Sequence, residues 1–143
     1  MSALTAGILG ASGYGGAGLI QRLSHHPEVG QLVLGSRQYL GKELGVCWPQ
    51  FQGLLPGTRF EETASVIEKS DVLFFATPHG ATAPLVAQAL AAGKRVVDLS
   101  ADFRLAPDTY SRWYGAPHPH PELYERARYG LVELHRNELP GAQ

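Results

Sequence analysis

The sequence predicts an α/β fold built on a doubly wound, mostly parallel sheet, and three observations carry that reading. Short apolar runs alternate with stretches of helical period along the chain, the pattern of stacked βαβ units. The clearest run, over 72–76, is too short for a helix and too continuously apolar for a strand with one wet face. Glycines stand between the first such run and the helix after it, where the chain must turn sharply.

The elements follow in order. A buried strand is expected over 6–9 and a helix over 13–24, with Leu19, Ile20 and Leu23 on one face; His25, His26 and Pro27 end it. The two histidines are expected to meet the last carbonyls of that helix. A second strand is expected over 31–34, between Gly30 and Gly35. The stretch 38–56 has no clear period and receives no assignment. A short strand over 59–61 and a helix over 63–69 come next. The run over 72–76 is expected at the centre of the sheet. A helix over 81–92 carries Pro84 near its first turn, where a missing N–H costs nothing, and ends at Gly93. After a strand over 95–99 the pattern weakens to loops, with helical stretches expected over 108–114 and 122–127 around a Pro/His-rich segment, 117–121.

A chain of 143 residues with 44% hydrophobic content suits one domain with one core, taken here as 1–143. The formal net charge of -1 gives no electrostatic footprint for a nucleic-acid or membrane partner. The apolar start is short, lacks preceding cations and runs into glycines, which argues against a signal peptide or membrane span; a cytoplasmic protein is expected. Cys47 is the one cysteine, so no internal disulfide forms and no Cys pair holds zinc.

Between the first strand and first helix lies Gly10-Ala11-Ser12-Gly13-Tyr14-Gly15-Gly16. Gly10 permits the turn, Gly13 lets backbone approach a pyrophosphate, and Gly16 lets the helix pack close to the strand. Free N–H groups at the helix start, with the helix dipole, attract phosphate. Ser12, Tyr14 and Gly15 complete this expected cofactor contact. About 20 residues on, an NAD site presents a carboxylate to the ribose 2′-hydroxyl, whereas an NADP site presents a cation to the 2′-phosphate. Here the residues are Ser36 and Arg37, and the cofactor expected is NADP(H), Arg37 and the Ser36 hydroxyl binding the extra phosphate.

These segments, followed by Thr77-Pro78-His79-Gly80, Val97-Asp98-Leu99-Ser100-Ala101-Asp102-Phe103-Arg104-Leu105, Trp113-Tyr114-Gly115 and the stretch 129–134, are the signals of a family. In this order they resemble N-acetyl-γ-glutamyl-phosphate reductase and its relative acting on carrier-linked aminoadipate phosphate in lysine biosynthesis. The resemblance implies a Rossmann domain followed by an α/β catalytic and dimerisation domain. It implies cytoplasmic arginine biosynthesis and an NADPH-dependent oxidoreductase that turns an acyl phosphate into a semialdehyde. In that chemistry a Cys thiolate expels phosphate to give a thioester, which hydride from NADPH then reduces. The family's Cys falls shortly beyond the segment matching 129–139. The catalytic domain is therefore expected to be absent from these residues, no catalytic residue is assigned, the chain alone is expected to be inactive, and homo-oligomers are expected only with the second domain. Cys47, without a His or Lys beside it and at no matching position, is expected to be a packed thiol.

Pro78, His79 and Gly80, at the carboxyl end of the 72–76 strand, and Ser100 and Ala101, leaving the next strand on the same side, are expected to line the nicotinamide end. Arg104 is a candidate for the substrate phosphate, with an ion pair to Asp98 or Asp102 as the alternative. His118 and His120, in an H-x-H flanked by prolines, lack the further ligands that a metal needs. A short-chain oxidoreductase would need Tyr-x-x-x-Lys, and no tyrosine here has a lysine four residues later. A stand-alone NADP(H)-binding module is the remaining alternative.

Overall fold

A computed structural model describes residues 3–142; Met1, Ser2 and Gln143 of the domain expected over 1–143 lie outside the described residues. Five strands form one sheet: β1 (Leu4–Leu9), β2 (Val29–Gly35), β3 (Phe60–Glu61), β4 (Val72–Phe75) and β5 (Arg95–Asp98). Their order is β3-β2-β1-β4-β5 and each pairing is parallel. The helices are α1 (Tyr14–Leu23), α2 (Leu44–Cys47), α3 (Thr63–Lys69), α4 (Ala83–Ala91), α5 (Pro107–Tyr114) and α6 (Val132–His135), with 3-10 turns at Pro49–Phe51, Pro121–Arg126 and Arg136–Glu138. This is the expected doubly wound Rossmann-type architecture.

The period of two in the strands divides the core. Ala6 and Ile8 of β1 join Leu32 and Leu34 of β2 beneath Ile20 and Leu23 of α1 and Leu44 of α2. On the opposite face Leu9, Val33, Leu73 and Phe75 pack against Val66 and Ile67 of α3 and Val86 and Ala89 of α4. Burying each Ile, Leu or Phe of these two layers contributes about 1.5–3 kcal/mol. Propensity opposes α1, because Gly15, Gly16 and Gly18 lie within it and each costs about 1 kcal/mol relative to Ala. Packing decides in its favour. A Cβ on Gly16 would lie 2.5 Å from the Ala11 Cα, so the glycine allows α1 to sit against the turn that begins it.

Several expected boundaries move. β2 starts at Val29 and runs to Gly35, because ladder bonds to β1 carry the strand through the exposed Gly30 and Gln31, which apolarity does not mark. β4 is interior, between β1 and β5, but β1 holds the middle of the sheet; an apolar run reports burial on both faces, not rank in the strand order. The helix expected from 81 begins at Ala83, since the buried Thr82 hydroxyl donates to the Pro78 carbonyl at 3.1 Å and keeps the preceding turn irregular. It ends as expected: Gly93 N–H donates to Leu90 and Lys94 N–H to Ala89 in a Schellman closure. The helix expected over 122–127 is instead a 3-10 turn, Pro121–Arg126, and Ala127 is already extended. His25 Nδ1 meets the Gln21 carbonyl at 3.0 Å as expected, whereas His26 Nδ1 instead accepts the Glu28 N–H, which lies beyond the helix end. Among the described residues no helix is long and apolar enough to cross a membrane.

Candidate dinucleotide site

Because the strands are parallel, the turns after β1, β2, β4 and β5 leave the sheet at one edge. The turn after β1 is pinned on both sides. Ala11 N–H donates to the Gly35 carbonyl at the end of β2 (3.1 Å), and Ala76 N–H, just past β4, donates to the Leu9 carbonyl (2.8 Å). Gly10 lies between them at φ +83°, and a Cβ there would sit 2.4 Å from the Ala76 carbonyl oxygen. No other residue type fits that position. Gly13 differs: its Cβ would meet only the Gly10 oxygen at an ordinary 3.5 Å. The fold does not require glycine at 13, and the exposed backbone there stands open to whatever approaches α1 from outside.

Gly13 N–H turns back to the Gly10 carbonyl (3.0 Å) and Ala17 N–H to Gly13 (2.9 Å), while among the described residues the N–H groups of Ser12, Tyr14, Gly15 and Gly16 have no partner. A set of unspent donors at the start of a ten-residue helix is an anion-binding arrangement. The Tyr14 side chain is almost fully exposed and its ring lies 5.8 Å from that of Trp48.

At the end of β2 the two expected residues behave differently. Ser36 is buried; its hydroxyl donates to Ser12 Oγ at 2.9 Å and accepts the Tyr39 N–H at 3.3 Å. Its proton is thus used inside the fold, linking the glycine turn to the β2 exit. Arg37 is exposed and, among the described residues, its guanidinium makes no hydrogen bond or ion pair.

On the other side of the switch in strand order, Pro78, His79 and Gly80 are exposed, and the His79 ring lies 4.8 Å from that of Tyr114 on α5. Asp102, fully buried, organises this region. Its carboxylate accepts Gly80 N–H at 2.7 Å, Ala83 N–H at 2.9 Å and the Tyr110 hydroxyl at 3.3 Å. Ser100 is turned inward, donating from both N–H and hydroxyl to Asp98 at 2.8 Å and accepting Asp102 N–H. Burial pushes the Asp98 carboxyl up, and the Ser100 bonds oppose that shift. Ala101 is half-buried beside it. Arg104 makes neither suggested ion pair; its guanidinium donates to the Leu99 carbonyl at 2.5 Å, and its side chain borders a cavity of about 750 Å³ between β5, α4 and residues 123–142. That cavity shares no residue with the glycine turn.

Three groups assigned no part in the site from sequence complete its framework: Trp48, Thr82 and His118, the last weighed only as a metal ligand. His118 is buried against Phe103 and Tyr110. Its Nδ1 accepts the His120 N–H (3.0 Å), so the proton sits on Nε2 and is donated to the Asp102 carbonyl. No periodicity marks any of them. Cys47 packs against the α1-side layer, 4.0 Å from the Ser12 carbonyl, and burial raises its thiol pKa while a bond with Tyr39 lowers it. A thiol whose pKa is raised by burial is a weaker nucleophile near neutral pH.

The fold and the donor set together define a dinucleotide-binding domain of the doubly wound class. The family described as semialdehyde dehydrogenase, NAD binding domain, matches residues 5–142, and the chain belongs to it. It is 52% identical over 137 residues to N-acetyl-gamma-glutamyl-phosphate reductase of Thermus thermophilus, a match covering 96% of this chain and 39% of that one. To the reductase of the same name from Azotobacter vinelandii it is 43% identical over 142 residues, covering 98% and 41%. The chain therefore spans about two fifths of the length of these curated relatives. In fold it resembles aspartate semialdehyde dehydrogenase with NADP from Candida albicans, with a TM-score of 0.60 at 21% identity over 80% of this chain and 40% of that one.

Proposed function

We propose that this chain is the NADP(H)-binding half of an N-acetyl-γ-glutamyl-phosphate reductase acting in arginine biosynthesis. The observation that carries the reading is a guanidinium, Arg37, that is unpaired among the described residues at the exit of β2, beside a turn whose Ser12, Tyr14, Gly15 and Gly16 N–H groups are likewise unspent. The N–H groups suit a pyrophosphate and the cation suits a 2′-phosphate. Ser12 fits as well: its oxygen accepts from Ser36, which leaves its own hydroxyl proton for a phosphate oxygen. Arg37 supplies the positive charge at the 2′-phosphate, while Ser36 contributes by fixing Ser12. Pro78, His79, Gly80 and Ala101 line the nicotinamide end, where the bound cofactor supplies hydride. The thioester chemistry is assigned to no described side chain, since the one cysteine packs against the core and burial pushes its thiol pKa up.

The identity to two reductases of that name supports the substrate assignment. Titration of the chain with NADPH and NADH tests the cofactor assignment. NADPH is expected to bind at least tenfold more tightly, and equal affinities or tighter NADH would overturn it.

A further inference from the structure

We infer that Trp48 is a positioning residue for the phosphate-binding turn, acting through its indole N–H. The inference rests on the cofactor reading above and concerns a residue from the stretch whose sequence shows no period. Trp48 follows α2 directly, and its Nε1–H donates to the Ala11 carbonyl at 3.0 Å. Ala11 is completely buried and its own N–H is held by Gly35, so the indole and the β2 exit fix it from both ends.

The consequence lies in the peptide plane. In a trans peptide the carbonyl of one residue and the N–H of the next point in opposite directions. Holding the Ala11 carbonyl toward Trp48 therefore aims the Ser12 N–H away from it, toward the exposed side of the turn where the other unspent donors lie. The Ser12 carbonyl lies 4.0 Å from the sulfur of Cys47, the residue before Trp48. An anion site needs its N–H groups facing the ligand and its carbonyls facing elsewhere. Here α2 and the residue after it supply partners for both carbonyls, and so prevent two partial negative charges from facing a pyrophosphate. The Trp48 ring also lies 5.8 Å from that of Tyr14, which ties the same side chain to the first residue of α1.

The test compares three ligands on the wild-type chain and on Trp48→Phe, which keeps an aromatic ring and removes the donor. NADPH and 2′,5′-ADP carry phosphate at the 5′ position, which the turn binds; 2′-AMP carries only the phosphate that faces Arg37. Trp48→Phe is expected to weaken NADPH and 2′,5′-ADP about fivefold, the effect of one neutral hydrogen bond, and to leave 2′-AMP within twofold. Equal weakening of all three would mean a general loss of structure and would overturn the positioning role, as would unchanged affinity for all three. A wild-type chain that binds none of them overturns the cofactor reading itself. If circular dichroism shows that Trp48→Phe does not fold, biosynthetic replacement of Trp48 by 3-benzothienylalanine in a Trp113→Phe background removes the N–H at nearly constant shape. The same three titrations then decide.

Discussion

The carboxylate of Asp102 accepts the backbone N–H of Gly80 across 22 positions of sequence, at 2.7 Å. Its second oxygen accepts Ala83 N–H, the first helical residue of α4, so one buried charge closes the turn after β4 and caps the helix that follows. A negative group at a helix N-terminus is favourable, and here solvent is excluded. Asp102→Asn preserves shape but replaces one acceptor oxygen with a donor that faces an N–H. A loss of about 2 kcal/mol is expected, the range for a buried bond to a charged group. Chemical denaturation of the two proteins measures it. A variant as stable as wild type would show that the clamp contributes nothing.

Arg37→Ala removes the one charge proposed to meet the 2′-phosphate and disturbs no internal contact, because the side chain has none among the described residues. Affinity for NADPH is expected to fall about 10- to 100-fold, as for loss of a charge-assisted bond of roughly 1.5–3 kcal/mol, with NADH changed less than twofold. Titration with both cofactors checks the split. Equal losses would remove Arg37 from the 2′-phosphate.

The glycines of the turn separate a folding requirement from a binding one. Gly10→Ala places a Cβ 2.4 Å from a backbone oxygen at φ +83° and is expected to prevent stable folding. Gly13→Ala meets nothing closer than 3.5 Å and is expected to leave the thermal midpoint nearly unchanged while weakening NADPH tenfold or more, because its methyl group projects where backbone meets pyrophosphate. Thermal unfolding and cofactor titration of each variant read the two effects apart. A Gly13→Ala chain with wild-type affinity would place the pyrophosphate elsewhere.

The sheet and its glycine turn were legible in the sequence because each is written locally. A run such as Val72-Leu73-Phe74-Phe75 announces a strand covered on both faces, and Gly10, Gly13 and Gly16 stand where the first strand hands over to the first helix. The helix α3 was readable to its ends, Thr63 and Lys69. Long-range polar pairs leave no such trace. Asp102 reaches back to Gly80, Trp48 to Ala11 and Ser36 to Ser12, and no spacing rule connects residues 22, 37 and 24 positions apart. The stretch 38–56 was unreadable for a related reason: its one helix is a single turn, too short to show a period.

The pH dependence of stability has a local source at Glu61, the last residue of β3. Its Oε2 accepts Lys69 Nζ at 2.6 Å and the Ser65 hydroxyl at 2.5 Å, both from α3, so this carboxylate fastens the edge strand to the helix after it. Those partners, Lys69 first, hold its pKa below the ordinary 4.5. A carboxyl that is more acidic folded than unfolded contributes stability above its unfolded pKa and loses it as pH falls through the lower, folded value. The ion pair is partly exposed and open to screening by salt, which limits it to about 0.2–1 kcal/mol. Glu61→Gln is therefore expected to be less stable than wild type by no more than that at pH 7. The gap should narrow below pH 4.5 and shrink in 1 M salt. Denaturation midpoints of both chains from pH 3 to 7 test this, and a gap that widened on acidification would reverse the assigned sign.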